Sequence, residues 1–144
     1  MIQPDTVKLL RECDAGVKMG IASMDDVLDE VQSGTLRQYL MECKKEHEAL
    51  RDELQTLLDK YHDGGKEPAP LAKGMSWFKI SMKMGMDHSD ETVADLMTDG
   101  CNMGVKKLNQ YLNQYEAADE ASKNIAKRLI RLEEQLALDI RKFL

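Results

Sequence analysis

The sequence predicts an all-α fold, an antiparallel bundle of four long helices that the whole chain, 1–144, forms as a single domain. Three observations carry this prediction. Apolar residues recur at steps of three and four along four long stretches. Strand-forming residues never alternate in runs, which disfavours a sheet. One stretch dense in glycine and proline, residues 62–70, divides the four helical stretches into two pairs.

The first two predicted helices form a hairpin. Helix one begins near Pro4-Asp5-Thr6, where Asp5 or Thr6 can cap its free amides. Its buried face is predicted to comprise Val7, Leu10, Asp14, Val17, Ile21, Met24, Leu28 and Val31. Ser33 then stops helix one and caps helix two, and so short a connection makes the two helices antiparallel. The corresponding face of helix two comprises Leu36, Leu40, Cys43, His47, Leu50, Leu54, Leu57 and Tyr61.

The stretch 62–70 is predicted to be a loop, and a short segment at 75–86 follows it. Methionine and aromatic residues alternate there with a polar stripe that contains Lys79 and Lys83. Two interpretations remain open: a helix that binds a membrane surface or a partner, and a cap over one end of the bundle. The capacity of Met and Trp side chains to fill irregular gaps favours the cap.

The last two predicted helices form the second hairpin. Helix three is capped by Ser89 or Asp90. Its apolar face comprises Val93 or Ala94, Met97, Cys101, Val105, Leu108, Leu112 and Tyr115. The flanking Gly100 and Gly104 indicate close approach of a neighbouring backbone, since glycine otherwise weakens a helix. Helix four runs from about residue 118 to the C-terminus, with Glu133 at the margin of its apolar face.

Composition excludes several classes of partner. The net charge is −6, from 20 basic and 26 acidic residues, and no basic stripe stands apart from acids, so nucleic acid is not expected as a partner. No run of about 18 apolar residues occurs, so no membrane partner is expected. The N-terminus does not have the pattern of a signal peptide. Three scattered cysteines do not make a disulfide framework, which predicts reduced thiols and a cytoplasmic protein.

Five polar or reactive residues fall on or beside the apolar faces, and together they are the candidate metal ligands: Asp14, Cys43, His47, Cys101 and Glu133. A buried carboxylate is costly unless it is paired, protonated or bound to a cation. Inward-pointing donors on every helix are typical of a metal site in a helical bundle. Counting from the first turn places Asp14 and His47 roughly 10 Å apart in height, so the two should not share an ion. Cys101 and Glu133 are nearly symmetric about the last turn and are expected to meet.

Several stretches together resemble the ferritin-like superfamily, in particular its rubrerythrin-related bacterial domains of unknown function. The resemblance covers most of the chain: residues 42–50, the Gly-Pro stretch, the segment around Trp77, the turn 99–102 and the closing Glu133-Glu134 helix. It implies a ferritin-like four-helix bundle with a long crossover, carrying a short extra helix, between helices two and three. It also implies iron as the cofactor where the ligand set is complete.

The implied ligand set is broken in this chain. Members that hold two metals supply a Glu-x-x-His pair from each of two helices, so that both side chains reach one ion. Here His47 matches a histidine, but Lys44 stands where the glutamate belongs. Cys101 occupies another glutamate position, and no histidine follows Glu133 at the required spacing. A smaller site from Cys43 and His47 with Cys101 or Glu133 would favour zinc over iron.

The leading functional hypothesis is therefore a non-catalytic interaction or scaffold protein without an intact di-iron centre. A homodimer is expected, with methionines 82, 84 and 86 suited to the contact. The alternative is a metal-binding redox or storage protein of the ferritin or rubrerythrin type with an altered ligand set. A third hypothesis is a thiol sensor that uses Cys43 or Cys101. Nucleophilic catalysis by Cys43 and His47 is disfavoured, because nothing in the sequence supplies an oxyanion hole.

Overall fold

The computed structural model describes residues 3–68 and 89–144, and within them the chain is helical without any strand. The four α-helices are α1 (Pro4–Leu28), α2 (Gly34–Lys60), α3 (Asp90–Gln114) and α4 (Glu120–Asp139), followed by a short 3₁₀ turn, Arg141–Phe143. The predicted all-α class and the four long helices are confirmed. The predicted extra helix at 75–86 and its methionines lie outside the described residues.

Three of the four helices begin at side-chain caps. The Ser33 hydroxyl accepts from the amide of Leu36 at 3.2 Å, as predicted for α2. The Ser89 hydroxyl does the same for Thr92 in α3. Asp119 caps α4 by accepting from the amide of Ser122 at 2.8 Å. Each cap satisfies an amide that the first helical turn leaves without a partner.

The predicted capping of α1 is wrong. Pro4 occupies its first turn and Gln3 makes no side-chain cap. Proline suits this position because its fixed φ is helical and its missing N–H would have no helical partner there. Asp5 and Thr6 instead accept from the amides of Ala117 and Asp119, at 3.1 and 2.9 Å, and tie the start of α1 to the α3–α4 connection.

Contacts between helices fix their directions. Thr6 meets Asp119 and Gly20 approaches Glu133, so α1 and α4 are parallel. His47 pairs with Glu133, while Glu53, six residues later, pairs with Arg128, five residues earlier, so α2 and α4 are antiparallel. The hairpin of α3 and α4 then makes α2 and α3 parallel. The α2–α3 connection accordingly starts at one end of the bundle and finishes at the other.

The start of α3 is anchored to the first hairpin. The Asp90 carboxylate accepts from the amides of Gln32 and Ser33, at 2.7 and 2.9 Å. Asp90 therefore holds the α1–α2 turn against the N-terminus of α3, whereas the cap itself is Ser89.

The apolar core consists of two clusters separated by a polar layer. One cluster includes Leu9, Leu50 and Leu129, and the other includes Met24, Leu40 and Leu136. His47 lies between Leu50 of one cluster and Cys43 of the other along α2, and Glu133 lies between Leu129 and Leu136 along α4. On α2 the predicted Leu57 is partly buried and packs against the core, while its neighbour Leu58, which was not predicted, is fully buried. No helix in the described part of the chain combines the length and apolarity needed to cross a bilayer.

Candidate functional site

The polar layer centres on His47, which is 1 % exposed. Its Nδ1 lies 2.8 Å from the Cys43 carbonyl oxygen, one helical turn earlier, and 3.6 Å from the Cys43 Sγ. Its Nε2 lies 3.2 Å from Glu133 Oε1 on α4. A carbonyl oxygen can only accept, so Nδ1 carries a proton and donates it in a hydrogen bond, and Nε2 carries a second proton that it donates in a hydrogen bond to the Glu133 carboxylate. Both ring nitrogens therefore act as donors.

The same contacts set the charge of the ring. Burial opposes a charge on His47, but hydrogen bonds to Cys43 and Glu133 and the Glu133 charge outweigh it and raise the pKa of His47 to about 10. The imidazole is consequently cationic at neutral pH, and with the Glu133 carboxylate it forms an ion pair that is neutral overall. An imidazolium has no lone pair to offer a metal ion.

Two glycines lie against this pair, and one of them, Gly20, is needed to make room for it. A Cβ built on Gly20 of α1 would lie 2.8 Å from His47 Cδ2 and 2.9 Å from Nε2. Real Cβ atoms almost never approach so closely, so only glycine fits between α1 and the ring. At Gly104 of α3 the nearest atom is the Glu133 carboxyl carbon, at an ordinary 3.6 Å. The predicted close approach of a neighbouring backbone at Gly104 is wrong, since a Cβ there would make only ordinary contacts with the Glu133 side chain, and the requirement for glycine at Gly20 was missed.

The cysteines are buried thiols. Cys13, Cys43 and Cys101 are all free and buried. Burial and the Glu133 charge, together with a hydrogen bond to Glu133, raise the pKa of Cys101. Burial, with Glu12 and Asp14 nearby, raises the pKa of Cys13 to about 12. A reactive thiol needs a depressed pKa and access to solvent, so Cys13 and Cys101 have the opposite properties.

Asp14 is remote from the polar layer, as the height estimate predicted. Its carboxylate, 1 % exposed, accepts from the amide of Lys66 at 3.0 Å and from Lys18 Nζ at 2.8 Å. His47 packs beside Gly20, six residues further along α1, roughly 9 Å away in height. Asp14 holds the loop after α2 onto α1, where Arg11 and Asp63 also pair.

Four of the five candidate ligands thus surround the polar layer, and Asp14 does not. Within the ranges 3–68 and 89–144, no group of three or more His, Cys, Asp or Glu side chains is arranged to hold a metal ion. Lys44, which replaces an expected glutamate, pairs with Asp25 on the α1 side of α2. Of the donors that do converge, His47 and Glu133 already satisfy each other.

A groove of about 390 Å³ runs between α1 and α3, with Leu129 and Glu133 of α4 at its floor. Its walls include Ala15, Gly16, Met19 and Gly20 from α1, and Met97, Gly100, Met103 and Gly104 from α3. Because several of these residues are glycine or alanine, the side chains of the two helices do not fill the space between them. The volume falls within the range of small-molecule sites, roughly 300 to 1,000 Å³, which commonly lie between the helices of bundles.

The sequence did not predict this groove. Gly100 and Gly104 suggested close approach of a neighbouring backbone, whereas in the described part of the chain both line this groove. The available signal was a second glycine pair with the same spacing, Gly16 and Gly20, on the predicted neighbour. Facing small residues on antiparallel α1 and α3 leave a trough where larger residues would interdigitate.

No protein-family model, curated protein or solved structure matches the chain.

Proposed function

We propose that the protein is a non-catalytic interaction protein that binds an elongated, mainly apolar small molecule in the groove between α1 and α3. The proposal rests on one observation. An apolar groove lies against a polar layer in which the two charged side chains, His47 and Glu133, pair with each other. The groove floor contains one ionisable side chain, Glu133, and its charge is balanced by His47. A neutral, fully paired layer is suited to holding a bundle in one register and offers no free base or nucleophile.

The helix directions support the ferritin-like part of this proposal. In the ferritin-like arrangement one long connection joins two parallel helices of a four-helix bundle. Here α2 and α3 are parallel, and α1 and α4 are parallel. The resemblance then accounts for four inward-facing positions within about one helical turn of each other, which the ion pair and the two thiols of Cys43 and Cys101 occupy.

Calorimetric titration with dodecanol tests the binding. Saturable binding of about one molecule per chain is expected, driven by about 0.8 kcal/mol for each buried methylene. Gly16→Ala and Gly104→Ala each place one methyl in the groove with ordinary contacts, at 3.5 and 3.6 Å to the nearest atoms. Each methyl displaces about one methylene of the ligand and weakens binding about fourfold.

The matched control is Asn102→Ala. Asn102 is exposed on α3 and does not line the groove, while alanine raises helix propensity there as well. Affinity for dodecanol should not change in this variant. Equal weakening in Gly104→Ala and Asn102→Ala, or no binding by the unsubstituted protein, contradicts the proposed function.

A second candidate function is metal binding with an altered ligand set, favoured by the convergence of Cys43, His47, Cys101 and Glu133 on one layer. It requires His47 to lose the proton on Nε2, so that the hydrogen bond to Glu133 is replaced by coordination. Elemental analysis of protein purified without a metal-affinity tag separates the two functions. Stoichiometric zinc, iron or manganese that is lost in His47→Ala supports the metal site.

Light scattering of the same sample tests the expectation that the protein is a homodimer.

A further inference from the structure

The charges that line the groove lie mainly at one end of it. Glu12 of α1 is level with Tyr111 of α3, and Lys66 and Lys107 lie beside them. Toward the other end, the wall residues Ser23, Met97 and Met103 carry no charge. The groove is therefore amphipathic along its length, with a charged end and an apolar end.

The charges at and beneath the groove cancel, with one exception. The Glu133 carboxylate pairs with His47 at 3.2 Å, and Lys66 Nζ pairs with Glu12 at 2.6 Å. Lys107 makes no hydrogen bond or ion pair with any residue in the described part of the chain. Among the lining residues that the structure describes there is thus one uncompensated positive charge, at the polar end, and no uncompensated negative charge.

We propose that the ligand of this groove is a fatty acid, with its carboxylate beside Lys107 and its alkyl chain extending past Gly104 toward Met97. This inference rests on the proposed function and adds the chemical class of the ligand. A cationic head would find both groove carboxylates already paired. A neutral ligand would leave the exposed Lys107 charge to water and gain nothing from it. A carboxylate complements that charge in the geometry that the groove provides.

The length of the groove matches an extended chain. On α1 the lining runs from Glu12 to Ser23, and eleven residues of helix rise about 17 Å. The lining of α3 spans a similar length, from Met97 to Tyr111. Methionine side chains, which are flexible and polarizable, adapt to a mobile alkyl chain better than branched residues do.

Calorimetry with dodecanoate, dodecanol and dodecylammonium, each below its micelle concentration and at low salt, tests this assignment. We expect dodecanoate to bind up to about fivefold more tightly than dodecanol, since an exposed charge pair contributes at most about 1 kcal/mol. Dodecylammonium should bind most weakly. Added salt should remove the advantage of dodecanoate, because the pair is exposed to solvent and screened.

Lys107→Gln should lower the affinity for dodecanoate to that for dodecanol and leave the dodecanol affinity unchanged. Lys106→Gln is the matched control, since Lys106 is the exposed neighbour that does not line the groove, and it should keep the preference. Equal binding of the three probes, or equal effects of the two substitutions, overturns the fatty-acid assignment and leaves apolar binding intact. Binding of none of the probes overturns the proposed function together with it.

Discussion

Glu133→Gln removes the counter-charge of a buried imidazolium and leaves the shape of the side chain almost unchanged. His47 is 1 % exposed, and its Nε2 faces Glu133 at 3.2 Å. Breaking a buried ion pair by removing one partner costs about 3 to 5 kcal/mol. We expect the lower end of that range, about 3 kcal/mol at pH 6, because the glutamine amide can donate to a neutral imidazole. Glu134→Gln, an exposed neighbour on α4, is the matched control and should change stability little.

The pKa of His47 determines how the stability difference between wild type and Glu133→Gln changes with pH. The folded pKa of His47, about 10, lies above the ~6.5 of an exposed histidine. Its stabilisation is therefore fully present below about pH 6.5 and is lost as the pH rises through 10. In Glu133→Gln burial of the ring is unopposed by a carboxylate and lowers the pKa of His47 below 6.5, so the histidine contribution rises with pH instead. The gap between variant and wild type should shrink as the pH approaches 10.

Urea unfolding of wild type, Glu133→Gln and Glu134→Gln at intervals from pH 6 to pH 10 measures this gap. Subtracting the unfolding free energy of one variant from that of the other removes the contribution of the surface groups that titrate in both. A loss of about 3 kcal/mol leaves the domain folded if its stability is in the ordinary range of roughly 5 to 15 kcal/mol. A pH-independent gap, or equal stability of the two variants, would refute the buried ion pair.

Four further substitutions test the packing at the site, the loop anchor and a helix cap. Gly20→Ala should destabilise, because its Cβ would lie 2.8 Å from the buried His47 ring, whereas Gly104→Ala should stabilise α3 by up to about 1 kcal/mol. Thermal unfolding of both variants checks the contrast, and equal melting temperatures would contradict it. Asp14→Ala should release the loop after α2, at a cost of about 2 kcal/mol. Limited proteolysis at residues 62–68 should then be faster, and an unchanged rate would count against the anchor. Ser33→Ala should cost about 1 kcal/mol in urea unfolding, and no loss would mean that its cap is dispensable.

Much of the fold was predictable from local rules. Helical periodicity identifies the four helices, and Ser33 identifies the turn of the first hairpin, because both signals act within a few residues. The start of α1 was not predictable in the same way. Asp5 and Thr6 have the chemistry of caps, but they bond to Ala117 and Asp119 on the far side of the chain. A tertiary partner competes with a local one, and sequence spacing does not show it.

The candidate site was predictable in its residues and not in its chemistry. Cys43, His47, Cys101 and Glu133 were identified because they are polar or reactive residues on or beside apolar helix faces. Asp14 was separated from them by counting residues along the helices from the first turn. Whether such residues coordinate an ion or satisfy each other depends on which atoms face which. That distinction rests on His47 Nε2 facing Glu133 Oε1 at 3.2 Å, because Nδ1 would donate to the Cys43 carbonyl in either case.

The protonation state of His47 tests the central claim most directly. Nitrogen-15 NMR of the imidazole distinguishes a ring with two N–H groups from a ring with one. We predict that both ring nitrogens of His47 in the wild-type protein remain protonated from pH 6 to above pH 8. The hydrogen bond from Nε2 to Glu133 should be absent only in the Glu133→Gln variant. A ring that titrates near pH 6.5, or a nitrogen shifted by a bound metal ion, would contradict the closed ion pair and the non-catalytic function built on it.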